Sequence, residues 1–286
     1  MSDADTPAPG EPLGPVAILG VGAMGGAILQ GLLESDLDIA GGIRIADSWP
    51  DRIAELSQPV GVTGYDGATD PRANERAVDG ARVVIVAVKP HQIAGLLDEI
   101  GPSLGPDVVL ISIAAGVPTS AIESRLPDRV AVVRVMPNSP ARVGQAVTGV
   151  AAGSRARPSQ VRVAMTLCAT IGAAVAVPED MLDPLTSISG SGPAYVFLFV
   201  EALTAAARAR GFDADTARLL VAGTFRGAIA LLEATGSDPA VLREQVTSPG
   251  GTTQAALDVF AARGLGDIVD AATVAAVERA HELAAV

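Results

Sequence analysis

The sequence predicts an α/β chain in which an N-terminal doubly wound parallel sheet is followed by an all-α domain. Short apolar runs rich in Val, Ile and Ala alternate with helical patterns as far as residue 177, and such runs are typical of strands buried on both faces of a parallel sheet. A glycine-rich turn directly follows the first run. From residue 178 onward only helical patterns remain. The alternation predicts a doubly wound first domain, and the change of pattern predicts a second, helical domain.

The elements of the first domain are predicted in the following order. Strands are expected at Val16–Gly20, Ile43–Asp47, Val83–Val88, Val108–Ile113 and Val130–Met136, with two more at Gln145–Ala151 and Ala173–Val177. Helices are expected at Met24–Glu34, Asp51–Ser57, His91–Ile100, Thr119–Arg125 and Pro158–Thr170. We place this domain at residues 15–177 and interpret residues 1–14 as a disordered tail, because they are acidic and rich in Pro and Gly. The tail lacks the basic and apolar regions of a secretory signal.

The second domain, residues 178–286, is predicted to be entirely helical. Helices are expected near Asp180–Ile188, Pro193–Arg210, Asp215–Ala234, Pro239–Val246, Thr252–Ala262 and Asp267–Ala284. Two of them, Pro193–Arg210 and Asp215–Ala234, are apolar around much of their circumference, so they must be buried on more than one side. A domain this small cannot bury them alone. We therefore expect a homo-oligomer, a dimer at least, with this domain as the interface.

Composition limits the possible partners. The chain of 286 residues is 49% hydrophobic and carries a net charge of −12 with only 20 Lys and Arg. This balance argues against nucleic acid or an anionic membrane surface as a partner, and no apolar run reaches the ~18 residues of a membrane span. Cys168 is the only cysteine, which excludes an internal disulfide and fits a reducing, cytoplasmic compartment. We interpret it as a core residue, and we assign no metal ligands.

Gly20, Gly22 and Gly25 form a GxGxxG turn between the first strand and the first helix. The first glycine permits the tight turn, the second lets the backbone approach a pyrophosphate, and the third allows close helix packing. In this context the motif predicts a Rossmann-type dinucleotide site, although a tight turn that binds nothing has the same pattern. The expected contacts at this turn are Leu19, Gly20, Val21, Gly22, Ala23 and Met24.

Asp47 ends the second strand, where an acid usually accepts hydrogen bonds from the ribose of NAD and repels the 2′-phosphate of NADP. Ser48 and Arg52 would bind that phosphate if Asp47 turned away, and Asp47 could instead be a solvated helix cap. The sequence leaves NADH and NADPH both open. Further cofactor contacts are expected at two other strand ends, namely Ala87, Val88, Lys89 and Pro90, and Ala114, Ala115 and Gly116.

A second glycine-rich turn, Ser248–Thr253, lies between two predicted helices of the second domain. A helix start has unpaired N–H groups and a partial positive charge, so this turn predicts a pocket for a small carboxylate. Acid–base residues are scarce, because Lys89 is the only lysine and His91 and His281 are the only histidines. Any mechanism must therefore work without a histidine base, and we give His91 no catalytic role.

With these motifs collected, the chain resembles pyrroline-5-carboxylate reductase from about Val16 to Leu283. The motifs are LGVGAMGGAI, AVKPHQI, SIAAGV, VRVMPNSPA, SGSGPAYVF and VTSPGGTT, in this order. The resemblance implies reduction of L-1-pyrroline-5-carboxylate to L-proline, the last step of proline biosynthesis, by NADPH or NADH. It also implies a dimer joined through the helical domain, with further assembly into a decamer.

The resemblance also assigns residues. Ser248, Gly251, Thr252 and Thr253 would hold the substrate carboxylate, and Thr253 would donate to or orient the ring nitrogen as the catalytic residue. Asn74 would contact the cofactor, and Ser191, in the turn Ser189–Pro193, would lie near nicotinamide and substrate.

Three other functions compete with this interpretation. A β-hydroxyacid dehydrogenase of similar plan would need a lysine in the helical domain, which this chain lacks. A related reductase of another cyclic imine and a non-catalytic nucleotide-binding protein stay open.

Overall fold

A computed structural model describes residues 12–284. Its first half is built on one eight-stranded sheet of order β3-β2-β1-β4-β5-β6-β7-β8. The strands are β1 (Val16–Leu19), β2 (Ile43–Asp47), β3 (Val62–Asp66), β4 (Val83–Val86), β5 (Val109–Ser112), β6 (Ala131–Met136), β7 (Ala146–Ala152) and β8 (Gly172–Ala176). All seven predicted strands are present, and the order places β1 and β4 side by side at the point where the chain reverses direction across the sheet.

Two elements at one edge of the sheet were missed. Strand β3 pairs only with β2 and none of its residues is fully buried, so it lacks the continuous apolar run by which the inner strands are recognised. The short helix α3 (Ala73–Val78) follows it. The sequence around both is polar, which is why no strand or helix was predicted there.

The sheet is parallel, as predicted, except at one pair of strands. Strand β7 runs antiparallel to β6, and β8 then runs parallel to β7. Only the short stretch 137–145 joins β6 to β7, and much of it is a tight 3₁₀ turn at Ser139–Val143. A parallel crossover needs a dozen or more residues, so this connection can only reverse the chain.

Helices cover both faces of the sheet. They are α1 (Ala23–Glu34), α2 (Pro50–Leu56), α3 (Ala73–Val78), α4 (Ile93–Ile100), α5 (Thr119–Glu123), α6 (Pro158–Ala169) and α7 (Leu182–Leu185), followed by a wide π turn at Thr186–Gly190. One apolar core packs α1 and α6 on the sheet, and a second packs α3, α4 and α5 on the other face. The doubly wound arrangement is thus confirmed.

The fold begins earlier than the predicted tail boundary allows. Residues 1–11 of that tail lie outside the described residues, but Leu13 is buried. Its N–H donates to the carbonyl of Asp38, and its own carbonyl accepts from the N–H of Ala40. Leu13 therefore belongs to the sheet domain, and the prediction of disorder was wrong at this position.

The chain divides into two compact units. One comprises the residues up to Gly190 together with those from Ala276 onward, and the other comprises Ser191–Ala275. The helices of the second half are α8 (Gly192–Ala209), α9 (Ala214–Thr235), α10 (Pro239–Gln245), α11 (Thr252–Ala262) and α12 (Leu265–Ala284). As predicted, no strand occurs in its described residues.

The helical unit exposes much apolar surface. Phe199 packs near the rings of Phe225 and Phe260, with centroids 6.1 and 6.0 Å apart, yet no residue of α8 is buried. Phe197 and Leu198 are each 66% exposed and Leu219 is 70% exposed. The predicted burial of α8 and α9 on several sides is therefore not provided by this chain alone.

In the described residues one helical segment, Glu179–Ala209, is long and apolar enough to cross a membrane, and the sharply bent helix pair Ala214–Thr235 and Pro239–Gln245 would be a second if it formed one span. The search of the sequence for uninterrupted apolar runs did not find Glu179–Ala209, because this segment includes charged residues such as Asp183 and Glu201. It is broken by the π turn at Thr186–Gly190. Core helices that cross no membrane have the same length and hydropathy.

Cys168 lies in α6 within the first apolar core, as predicted. Burial raises the pKa of its thiol to about 12, so the reactive thiolate is strongly disfavoured in the folded chain. We expect Ellman's reagent to leave the native protein unmodified at pH 8 and to modify it at once in denaturant. Fast reaction of the native protein would contradict this burial.

The raised pKa of Cys168 makes the free energy of unfolding depend on pH. Since the folded-state pKa lies above the unfolded value of ~8.5, the thiol's contribution is complete below that value and is lost as the pH rises toward 12. Between pH 9 and 11 the urea midpoint of the wild type should fall more steeply than that of Cys168→Ala.

Candidate active site

The glycine turn after β1 is built by close packing. Gly20 has φ +88°, a conformation that favours glycine, and a Cβ there would lie 2.8 Å from the carbonyl oxygen of Ala87. A Cβ at Gly25 would strike the carbonyl oxygen of Gly20 and lie 3.1 Å from the Cβ of Ala87. These two glycines are therefore required for α1 to pack against β1 and the end of β4.

Gly22 differs from its two neighbours in the motif. It is exposed, and a Cβ there would meet no atom within 4 Å. It is the N-cap of α1, and because it has no side chain the first N–H groups of the helix are left uncovered. Packing alone does not explain a glycine here, whereas close approach of a diphosphate to the free N–H groups does. The turn thus fits a dinucleotide.

The strand ends open into one cleft of about 690 Å³. It is lined by most of the predicted cofactor residues, namely Gly20, Gly22, Ala23, Met24, Asp47, Ser48, Asn74, Ala87, Val88, Lys89, Pro90, Ala114 and Ala115. The side chains of Leu19 and Val21 are instead fully buried in the core. Gly116 follows Ala115 but does not line the cleft.

Sequence reasoning missed six lining residues: Ala46, Gly67, Gln92, Leu96, Glu99 and Ile113. Three of them could have been predicted from their spacing in the sequence. Gln92, Leu96 and Glu99 are spaced by four and three residues, which places them on one face of a helix. Gly67 follows β3 and was missed together with that strand.

The carboxylate of Asp47 braces the glycine turn. Its Oδ2 accepts a hydrogen bond of 2.7 Å from the N–H of Val21, and its Oδ1 accepts one of 3.1 Å from the N–H of Trp49. The side chain is therefore held at the turn and does not point away into solvent. A carboxylate oxygen has a second lone pair, so Asp47 retains acceptor capacity toward the cleft.

Arg52 lies beside the same turn but outside the main cleft. Its Nε donates to the carbonyl of Val21 at 3.3 Å, and its Nη1 forms an ion pair of 2.9 Å with Glu55. It lines a smaller hollow of about 240 Å³ together with Gly22, Ala23 and Trp49. The Nε and Nη1 donors of Arg52 are therefore already bonded within the protein, which leaves fewer donors for a ligand.

Asn74 and Glu99 both line the cleft and are hydrogen-bonded to each other. The Nδ2 of Asn74 donates to both carboxylate oxygens of Glu99 at 3.2 Å. The backbone N–H of Lys89 is held by the side chain of Gln92 at 3.0 Å, while the Lys89 side chain is exposed at the cleft rim. His91 is exposed in the short turn that follows Pro90.

The second glycine-rich turn lies in the helical unit. Gly250 has φ +68°, and Gly251 is the N-cap of α11 with no side-chain hydrogen bond to the helix start. The N–H of Gly251 donates to the carbonyl of Ser248 at 3.0 Å, which closes the turn. Within residues 12–284 the hydroxyls of Ser248, Thr252 and Thr253 have no hydrogen-bond partner, so they and the first N–H groups of α11 can bind an anion.

Ser191 stands at the entry to the helical unit. It is the N-cap of α8, is half-buried, and directly follows the π turn. Among the described residues no cluster of three or more His, Cys, Asp and Glu side chains is arranged to hold a metal ion.

Comparisons with known proteins agree with this architecture. Residues 179–283 match the family model "Pyrroline-5-carboxylate reductase dimerisation", and residues 15–116 match "NADP oxidoreductase coenzyme F420-dependent". The pyrroline-5-carboxylate reductase of Methanosarcina acetivorans is 34% identical over 269 residues, which are 94% of this chain and 97% of the relative.

Solved structures show the same similarity. The pyrroline-5-carboxylate reductase of Coxiella burnetii has a TM-score of 0.86 and 35% identity, over 94% of this chain and 97% of that one. The Plasmodium falciparum enzyme, solved with NADP bound, has a TM-score of 0.80 and 24% identity, over 94% and 98%. The identity and coverage shared with these relatives place the chain in the pyrroline-5-carboxylate reductase family.

Proposed function

We propose that this chain reduces L-1-pyrroline-5-carboxylate to L-proline, as its family relatives are named for doing. The observation that carries the proposal is the presence in one chain of two unencumbered helix starts, at Gly22 and at Gly251. Both N-caps are glycines, so no N-cap side chain covers or bonds the first N–H groups of either helix. The helix start at Gly22 suits a diphosphate, and the helix start at Gly251 suits a small carboxylate.

The direct test is proline formation by the purified chain, coupled to oxidation of NADPH or NADH. Turnover with the five-membered imine supports the proposal. Turnover only with a larger ring would favour a related imine reductase instead. Tight nucleotide binding without turnover would favour a non-catalytic binding protein.

The cofactor cleft is assigned to NADPH or NADH. When bound, the cofactor supplies the hydride for the imine carbon. The free N–H groups at the start of α1 hold its diphosphate, Asp47 meets the adenosine ribose, and Asn74 stands at the cleft wall. The small residues Ala114 and Ala115 leave room for the nicotinamide ring.

The turn Ser248–Thr253 is assigned to the substrate. Ser248, Gly251 and Thr252 hold the carboxylate through hydroxyl and N–H donors, and the hydroxyl of Thr253 orients the ring nitrogen. Ser191 completes the substrate contacts. A cyclic imine protonated on nitrogen already accepts a hydride, so these residues need to bind and orient it rather than provide a strong base.

The assembly is proposed to be a homodimer joined through the helical unit. Support comes from the apolar residues exposed on α8 and α9 and from the dimerisation model that matches residues 179–283. Assembly of dimers into a decamer follows from the family resemblance alone. The biosynthetic role and the single buried thiol favour the cytoplasm.

Asp47 is expected to determine the choice of nucleotide. In Asp47→Ser the negative charge that opposes a 2′-phosphate is removed, so the ratio of kcat/KM for NADPH to that for NADH should rise by about tenfold or more. Asp47→Asn is the matched control, because it keeps one oxygen as an acceptor for the turn. An unchanged ratio in both variants would show that Asp47 only braces the loop.

A further inference from the structure

Two polar side chains of the segment VRVMPNSPA are buried although neither lines the cofactor cleft. Arg134 in β6 is 6% exposed, and Asn138, just beyond the end of β6, is 8% exposed. Most buried polar groups in folded proteins are hydrogen-bonded. Their partners therefore indicate what the segment does.

The side-chain amide of Asn138 joins two separate elements. Its Nδ2 donates to the backbone carbonyl of Ser189 at 2.9 Å, and its Oδ1 accepts from the N–H of Val147 in β7 at 2.9 Å. One end of the amide must donate and the other must accept, so no other natural side chain of this size makes both bonds. Asn138 thus ties the sheet to the π turn Thr186–Gly190.

The carbonyl of Ser189 needs a donor from outside its own helix. In an α-helix this carbonyl would accept from the N–H four residues later, but that residue is Pro193, which has none. The next N–H, that of Ala194, donates instead to the carbonyl of Ser191. Asn138 therefore supplies the donor that the proline removes.

The far end of the same short segment is fixed by Arg134. Its guanidinium lies 3.4 Å from the carboxylates of both Glu179 and Asp183. Glu179 in turn accepts from the N–H and hydroxyl of Thr119, at 2.7 and 2.6 Å. The chain between residues 179 and 189 is thus held against the sheet at both ends, and Ser191 comes two residues after the second anchor.

We propose that Asn138 is a positioning residue for Ser191. By bonding the carbonyl of Ser189 it fixes the backbone two residues before Ser191, and hence the place of the Ser191 hydroxyl. This inference depends on the proposed function, which assigns Ser191 to the substrate. Asn138 does not line the cofactor cleft, so its effect should fall on the imine and not on the nucleotide.

Asn138→Asp is the decisive variant. Its carboxylate still accepts from Val147, but its second oxygen faces the carbonyl of Ser189 and repels it. We expect kcat/KM for the imine to fall at least tenfold, while the dissociation constant of the reduced cofactor, measured by fluorescence titration, changes less than twofold. Asn138→Ser, whose hydroxyl is too short to bond both partners, should show the same split if the Asp variant does not fold.

The control is Thr148→Val in the adjoining strand. The Thr148 hydroxyl is buried and has no partner in the described chain, so its removal should leave both constants unchanged. Folded Asn138 variants with wild-type imine kinetics would overturn the proposal, as would an equal loss of cofactor binding. Turnover by the wild type tests the proposed function separately, because it does not depend on either variant.

Discussion

Replacing Gly22 with valine is expected to abolish tight cofactor binding and to leave the fold intact. A Cβ at this position meets no atom of the chain within 4 Å, so the free energy of unfolding should change by no more than about 1 kcal/mol, the cost of a poor N-cap. The branched side chain would stand where the diphosphate must approach the start of α1. Loss of two hydrogen bonds to that anion corresponds to roughly 3 kcal/mol, or about a hundredfold in Kd.

Gly25→Ala is the matched control from the same turn. Its added methyl would strike the carbonyl oxygen of Gly20 and crowd Ala87, so α1 would have to move away from the sheet. We expect unfolding to become easier by about 1–3 kcal/mol. Urea unfolding and cofactor titration of both variants test the contrast. Unimpaired cofactor binding by Gly22→Val would remove the reason for a glycine at that position.

The inner strands were predictable because a strand buried on both faces is apolar at nearly every position. Strand β4, for example, is Val-Val-Ile-Val and wholly buried. Strand β3 has one neighbour and a glycine at its centre, so its position depends on pairing with β2 and not on its own composition. The antiparallel direction of β7 depends on the short connection from β6, and the pattern of apolar residues carries no information about strand direction.

The cofactor cleft was predictable because parallel strands deliver their carboxyl ends to one edge of a sheet. The brace from Asp47 to Val21 was not, since the sequence cannot tell whether a carboxylate points toward a turn or toward solvent. The role of Asn138 was hidden for a similar reason. Its partners, Val147 and Ser189, are backbone groups of distant segments, and any residue type provides them.

The assignment of the second glycine-rich turn tests the chemistry most directly. Thr253→Ala is expected to lower kcat for the imine by about ten- to a hundredfold, the range for losing one hydrogen bond to a group left unpaired in a closed site. Cofactor affinity should stay the same, because the residue lies in α11 and not among the cleft-lining residues. Steady-state kinetics and cofactor titration of the purified variant measure both quantities.

Two further variants separate the Thr253 hydroxyl from its methyl group and from general effects on helices. Thr253→Ser keeps the hydroxyl and should retain most of the activity. Thr235→Ala removes a hydroxyl that bonds the Leu231 carbonyl of its own helix at 2.9 Å, so it should alter stability slightly and kcat not at all. If kcat fell equally in Thr253→Ser and Thr253→Ala, Thr253 would act through packing of its methyl group and not through a hydrogen bond. Wild-type kinetics in Thr253→Ala would remove the residue from the mechanism, because an orienting hydroxyl cannot be lost without slowing hydride transfer to the ring.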